Sequence, residues 1–299
     1  MSSESKAEQI KTANALARKY TGEFAVATII LLSVSVAGFA VTAYGFYNNI
    51  ISEWMTIILL GTFTYFSYTP LHEAVHNNIN GKQENLRWLN NLCGYFGGQL
   101  IGVSYTSHRV EHLDHHSNTN HPDKDPDFIV SEFSKGPLHI LIAGTKFLLI
   151  QNTYLARKYW SDISSKDRII YGLELATNII WRAALIWLLS TSTSISLLGA
   201  IAVVIFGYYL GAFFTAYWFA YRPHHPYKHQ GRFINTASLI FPRGLKFMEG
   251  FWLGQNIHSI HHLYPRVPFY RYKALHREIE PIMRENGTPI IGIFSRLPQ

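Results

Sequence analysis

Eight of the fifteen histidines in this 299-residue chain fall in three five-residue windows. The first is His72-Glu-Ala-Val-His76, the second His112-Leu-Asp-His115-His116 and the third His258-Ser-Ile-His261-His262. Spacings of three and four put side chains on one face of a helix, so each window predicts one stripe of imidazoles. Neutral imidazoles each present a lone pair, and several of them converge only around a cation. Imidazole suits zinc, copper, iron and nickel, so the ligand type alone does not select the metal. The number is more selective. Eight or nine histidines exceed a four-coordinate zinc site and suit two metals with four or five ligands each.

His72-Glu73-Ala74-Val75-His76 also matches H-E-x-x-H, in which the glutamate would be the general base of a zinc protease. That reading leaves the other two windows unused. Ligating imidazoles usually donate their second N–H to a carboxylate or carbonyl. By proximity in sequence, Glu73, Glu111, Asp114, Asp123, Asp125 and Asp127 are candidates, and each has the ordinary alternative of a loop charge or helix cap. Asn256 is a candidate to bond the site or a metal-bound water. His139, His229 and His276 stand alone, and His121, between Asn120 and Pro122, fits a turn. A single cysteine, Cys93, excludes an internal disulfide framework and any Cys-rich metal site.

The elements that must position these histidines are apolar. Hydrophobic residues make up 48% of the chain and charged residues only 15%, against about 25% charged in ordinary soluble domains. Four stretches, 24–46, 54–71, 169–189 and 195–221, have the length and composition of membrane spans. They predict two hairpins, the second closed by a short polar turn at 190–194. Residues 88–105 and 137–150 predict interfacial or re-entrant helices. Lysine and arginine sit before the first pair, between the pairs and after the second, leaving only Arg182 inside a span. By the positive-inside rule both termini and the segments 72–168 and 222–299 are cytoplasmic, with all fifteen histidines. Topology thus accounts for the net charge of +7 without nucleic acid. A histidine-rich metal transporter would carry histidines within its spans, and these four contain none. Glu174 and Arg182 share the third span eight residues apart, about 12 Å by helix rise, too far for direct pairing. The aromatics of 208–221 fit interfacial anchors, with a lipid tunnel as the alternative.

Two spans, two histidine boxes, two spans and a third box resemble the membrane fatty acid desaturase and hydroxylase superfamily over nearly the whole chain. Tyr221-Arg-Pro-His224-His225-Pro-Tyr227, the run from Leu253 through Asn256 to Tyr270, and His115-His116-Ser-Asn-Thr-Asn-His121-Pro-Asp123-Lys-Asp125-Pro-Asp127 look like its desaturase-like β-carotene hydroxylases and ketolases. The resemblance implies a single domain over 1–299, all-α, with four spanning helices and a cytoplasmic helical cap. It implies two irons held by His72, His76, His112, His115, His116, His258, His261, His262 and His224, with His225 as the fallback for the last. It further implies O2 as co-substrate, electrons from ferredoxin or a similar carrier, and oxidation of a C–H bond in a lipid. A carotenoid ring is the first choice, and desaturation, hydroxylation or decarboxylation of an acyl chain the second. Two residues depart from the pattern. Glu73 stands where the carotenoid enzymes commonly have aspartate, and the extra His108 enters as a further ligand or hydrogen-bond donor.

Overall fold

The computed structural model describes residues 3–192 and 195–295; two residues of the expected polar turn, 193 and 194, lie outside the described residues. The chain is mostly helical. Helix α1 (Ser3–Arg18) precedes the apolar α2 (Val26–Tyr47) and α3 (Glu53–Val75). A short α4 (Trp88–Ile101) leads into α5 (Tyr105–Asn118), followed by α6 (Pro137–Lys158) and the long α7 (Ser165–Ser192). Helix α8 (Leu197–Thr215) ends in a π-helical turn, Ala216–Tyr221, and α9 (His258–Leu263) and α10 (Tyr272–Glu285) complete the set. Among the described residues the expected all-α architecture is broken at one place. Strands β1 (Ser238–Ile240) and β2 (Ile290–Gly292) pair in parallel.

Among the described residues three helical stretches are long and apolar enough to cross a membrane: Val26–Tyr47, Ser165–Thr191 and Leu197–Tyr221. The expected span at 54–71 forms as α3 but is not among them. Thr56, Thr64, Ser67 and Thr69 dilute its apolar character, and all four are buried. Helix α3 is packed between its neighbours, so protein rather than hydrocarbon surrounds much of it.

The closest of these packings is with α8. A Cβ added at Gly211 would lie 2.4 Å from the Gly61 carbonyl oxygen, and one at Gly207 would lie 2.8 Å from Leu60 Cβ. Glycine four residues apart lets two helix backbones approach in this way. The contact matters for the site, because the first histidine box ends α3 and His224 follows α8. Helix α3 starts on Ser52, whose hydroxyl accepts from the Met55 amide.

Helix α6 runs eight residues past its expected end, because Asn152 and Tyr154 find partners on the α4–α5 segment. Asn152 Nδ2 donates to the Gly102 carbonyl and its Oδ1 accepts from the Ser104 amide. Helix α1 buries Ala13 and Ala17 against Leu275, Ile279 and Met283 of α10.

Candidate metal centre

Four segments deliver the histidines to one place. The last turn of α3 supplies His72, and His76 is its C-cap. Helix α5 begins on Ser104, whose hydroxyl accepts from Ser107 N, and it presents His108, His112, His115 and His116. Helix α9 presents His258, His261 and His262. His224 follows the π-helical turn that ends α8. All nine expected ligand histidines are buried except His116 and His262, which are half-buried.

The imidazoles fall into two abutting groups. In the first, nitrogens of His72, His76, His112, His116 and His261 all lie within 4.8 Å of one another, and in the second those of His115, His224 and His262 do so. His258 joins the second group through Nε2, 3.1 Å from His262 Nε2. The rings of His116 and His262 stack at 4.3 Å across the boundary.

Spacing within the first group tests whether a cation fits. His76 and His112 Nε2 are 3.1 Å apart, His112 and His116 3.1 Å, His116 and His261 2.7 Å, and His261 and His72 2.9 Å. An imidazole Nε2 has one in-plane position, filled either by a proton or by a lone pair. His112, His116 and His261 each use that one position toward two neighbours, so hydrogen bonds cannot close the chain. Nitrogens bound at about 2.1 Å to one cation, at right angles to each other, sit about 3.0 Å apart. The donor set therefore fits a metal ion and fits poorly without one.

Electrostatics agree. Burial, reinforced by neighbouring imidazoles, holds His112, His116, His261 and His262 well below the usual histidine range, which keeps their lone pairs free. His115 is the exception. Burial opposes its charging, but the carboxylates of Asp125 and Asp127 outweigh burial and raise it to about 9. Its Nδ1 donates to Asp125 Oδ1 at 2.8 Å. The negative charge that favours a proton at His115 equally favours a metal cation at Nε2. On the other group, His261 Nδ1 lies 3.1 Å from the buried Tyr272 hydroxyl.

Several candidates stand elsewhere. His108 is one turn from His112, against Tyr68, with Nδ1 3.2 Å from Glu111 Oε2, and belongs to neither group. His225 packs on Tyr221 instead. Asp123 is exposed in the turn after α5. Asp127 lies 3.7 Å from His115 Nδ1, farther than Asp125. Asn256 donates to the Leu239 carbonyl of β1 at 2.8 Å and so ties the α9 approach to the ribbon. Glu73 accepts from Asn78 at 3.4 Å and joins neither histidine group. Asp114 faces away from the histidines and accepts from Lys158, Tyr154 and Tyr159, each at 2.7 Å, fastening α5 to α6 and the turn after it. Tyr272, which the sequence reading missed, carries no local motif. It is recognisable only once α10 is folded against α9.

An apolar groove of about 890 Å³ opens between α3, α6 and α8, lined by Ile57, Leu141, Phe206, Tyr209 and Phe213 among others. Between α6 and α8 lies a separate small void of about 20 Å³, lined by Tyr68, Gln151, Ala212, Thr215 and Phe219. Tyr68 stacks on His72 at 5.5 Å, so this cavity ends beside the histidines. Tyr209, Phe213 and Phe214 of the 208–221 aromatic run line the groove, and Phe219 lines the small void.

Apolar helices carrying two adjoining polyhistidine groups that could hold metal ions define a membrane-associated, histidine-rich protein. A family model named fatty acid desaturase matches residues 49–294. The chain belongs to that family, which is a family of oxidoreductases. Among curated proteins, zeaxanthin 4-ketolase of Chlamydomonas reinhardtii is 25% identical over 232 residues, 73% of this chain and 44% of that protein. The chain thus spans less than half the length of that relative.

Proposed function

We propose that this chain is a multi-pass membrane di-iron enzyme that uses O2 to oxidise a C–H bond of a lipid, with a carotenoid ring as the substrate. The observation that carries the metal reading is the chain of Nε2 contacts that hydrogen bonds cannot satisfy. His72, His76, His112, His116 and His261 would hold one iron, and His115, His224, His258 and His262 the other. Bound there, the irons supply O2 activation for C–H cleavage. The balance is R–H + O2 + 2e⁻ + 2H⁺ → R–OH + H2O, with electrons from ferredoxin or a similar carrier.

The protein's own share is orientation and exclusion of water. Asp125 and Tyr272 fix the rings of His115 and His261. The groove is apolar and large enough to hold part of a lipid, and Tyr68 stands between the small inner void and His72. The reading takes the chain as one domain over 1–299. It places α3 as a fourth, protein-packed span, with both termini and the metal centre on the cytoplasmic side, following the charge asymmetry.

Ketolation of the same ring is a second reading, favoured by the similarity to a ketolase. It needs a second oxidation at the carbon first hydroxylated. Expression in cells that make β-carotene, with chromatography of the pigments, tests both. A hydroxylated product supports the first reading and a ketone the second. Unchanged pigment alongside altered acyl chains would exclude both in favour of acyl oxidation.

A further inference from the structure

We infer that one short turn, Thr119 to Asp125, is the positioning device for a single one of the two metals, the one assigned above to His115, His224, His258 and His262. The inference rests on that di-metal reading and adds to it which residues outside the ligand set control which ion.

Three of those four imidazoles meet this turn through Nδ1. Asp125 Oδ1 is 2.8 Å from His115 Nδ1, Asn120 Oδ1 is 3.2 Å from His224 Nδ1, and Thr119 Oγ1 is 3.4 Å from His262 Nδ1. In the other group, His72 Nδ1 is buried without a hydrogen-bond partner and His261 Nδ1 meets Tyr272. Among the described residues the turn's contacts to imidazole Nδ1 atoms thus fall in one group, while the Thr119 hydroxyl also meets the His115 and His116 carbonyls at 2.9 and 3.3 Å.

Asn120 is the informative member. Its Nδ2 donates to the His229 and Asn235 carbonyls at 2.8 and 2.7 Å, which uses both amide protons. That fixes which end of the amide faces His224: it is the oxygen, an acceptor. His224 Nδ1 must then carry the proton, and Nε2 must carry the lone pair. His224 Nε2 is buried with no hydrogen-bond partner and lies in the group with His115 and His262. A buried, unpaired acceptor is costly to leave unmade, and a cation at this point completes it.

The turn is itself braced. Asn120 has φ +64°, a region tolerated by asparagine better than by most residues. Its amide donates to Asp125 Oδ2 at 2.7 Å, while Asp125 Oδ1 also accepts from the Asp127 amide at 2.9 Å. Asp125 thus spans from the turn to His115, and Asn120 from the turn to the segment carrying His224. A shift of either moves two ligands of the same ion.

The test is iron stoichiometry and ⁵⁷Fe Mössbauer spectra of detergent-purified protein. Wild type should hold two irons per chain, and Asn120→Leu, which keeps the volume and removes the acceptor, should hold one. His224→Ala should lose the same Mössbauer component as Asn120→Leu, an identity that general unfolding would not give. Should Asn120→Leu fail to fold, Thr119→Val leaves the Asn120 anchors intact. One iron of that variant should then leave to a chelator about tenfold faster than from wild type, the other at an unchanged rate. Asn120→Leu with two irons, or Thr119→Val with both irons leaving at the wild-type rate, overturns the inference and leaves the di-iron reading standing. Wild type without two irons overturns that reading and the inference with it.

Discussion

A histidine nitrogen can be counted in a sequence, but the atom its other nitrogen faces cannot. The three windows were legible because helical spacing alone places their members on one face. Which of His224 and His225 lies among the other imidazoles was not, since adjacent residues point in different directions and the partner of His224 Nδ1, Asn120, lies 104 residues earlier. Asn256 shows the same limit from the other side. Its closeness to His258 in sequence suggested the site, yet its amide holds the Leu239 carbonyl. Tyr272 is the residue whose role follows most directly from geometry, because its hydroxyl is the partner seen at His261 Nδ1. Replacing such a partner typically lowers metal affinity 10–100-fold. Tyr272→Phe keeps the ring packed and removes only the oxygen. Its iron should leave to a competing chelator roughly 10-fold faster than from wild type, with little change in thermal unfolding. An unchanged release rate would show that His261 is oriented by packing alone.

At the scale of elements, the question left open by the sequence is why the third apolar stretch carries Glu174 and Arg182. Each holds a different helix end. The Arg182 guanidinium donates to the carbonyls of Gln99 and Leu100 at 2.9 and 3.1 Å, in the last turn of α4. Glu174 accepts from the Ser104 hydroxyl at 2.6 Å and from the Thr106 amide and hydroxyl at 2.9 and 3.0 Å, at the first turn of α5. Positive charge at a helix C-terminus and negative charge at an N-terminus are both stabilising. One helix thus braces the junction from which the second histidine box starts. No sequence pattern announces this, because the partners are about 70 to 83 residues apart. Glu174→Ala leaves the Thr106 amide and two hydroxyls without an acceptor, and hydrogen bonds to charged groups are worth about 1.5–3 kcal/mol each. We expect clearly reduced thermal stability in detergent, and loss of iron before global unfolding because α5 carries three of the nine proposed ligands. Glu174→Gln keeps an acceptor oxygen and should recover most of the loss. Equal damage from both variants would mean that charge, rather than the hydrogen bonds, is what α5 requires.

For the whole molecule, composition made a membrane-embedded helical frame legible, while the cavity that gives the frame a use was not. Periodicity shows that a residue faces inward, not whether it packs or borders a void. Ala212 illustrates the difference. It lies on the face of α8 that meets α6, is buried, and borders the inner cavity next to Tyr68, Gln151 and Thr215. The void here is only about 20 Å³, so entry to the histidines from the groove by this route requires it to widen. On the outer side, a Cβ at Gly144 of α6 would overlap the Phe213 ring, so the two helices already touch there without room to spare. Ala212→Leu would place three more carbons in the cavity without approaching any ligand histidine. Overpacking of this kind costs about 1–3 kcal/mol, which should lower the unfolding temperature modestly and leave two irons per chain. Lipid oxidation should fall at least about tenfold, the equivalent of about 1.4 kcal/mol in the barrier. Product formation by Ala212→Leu at the wild-type rate, with iron content unchanged, would show that the substrate reaches the metals by another route, and the groove between α3, α6 and α8 would then be lipid-filled rather than an entrance.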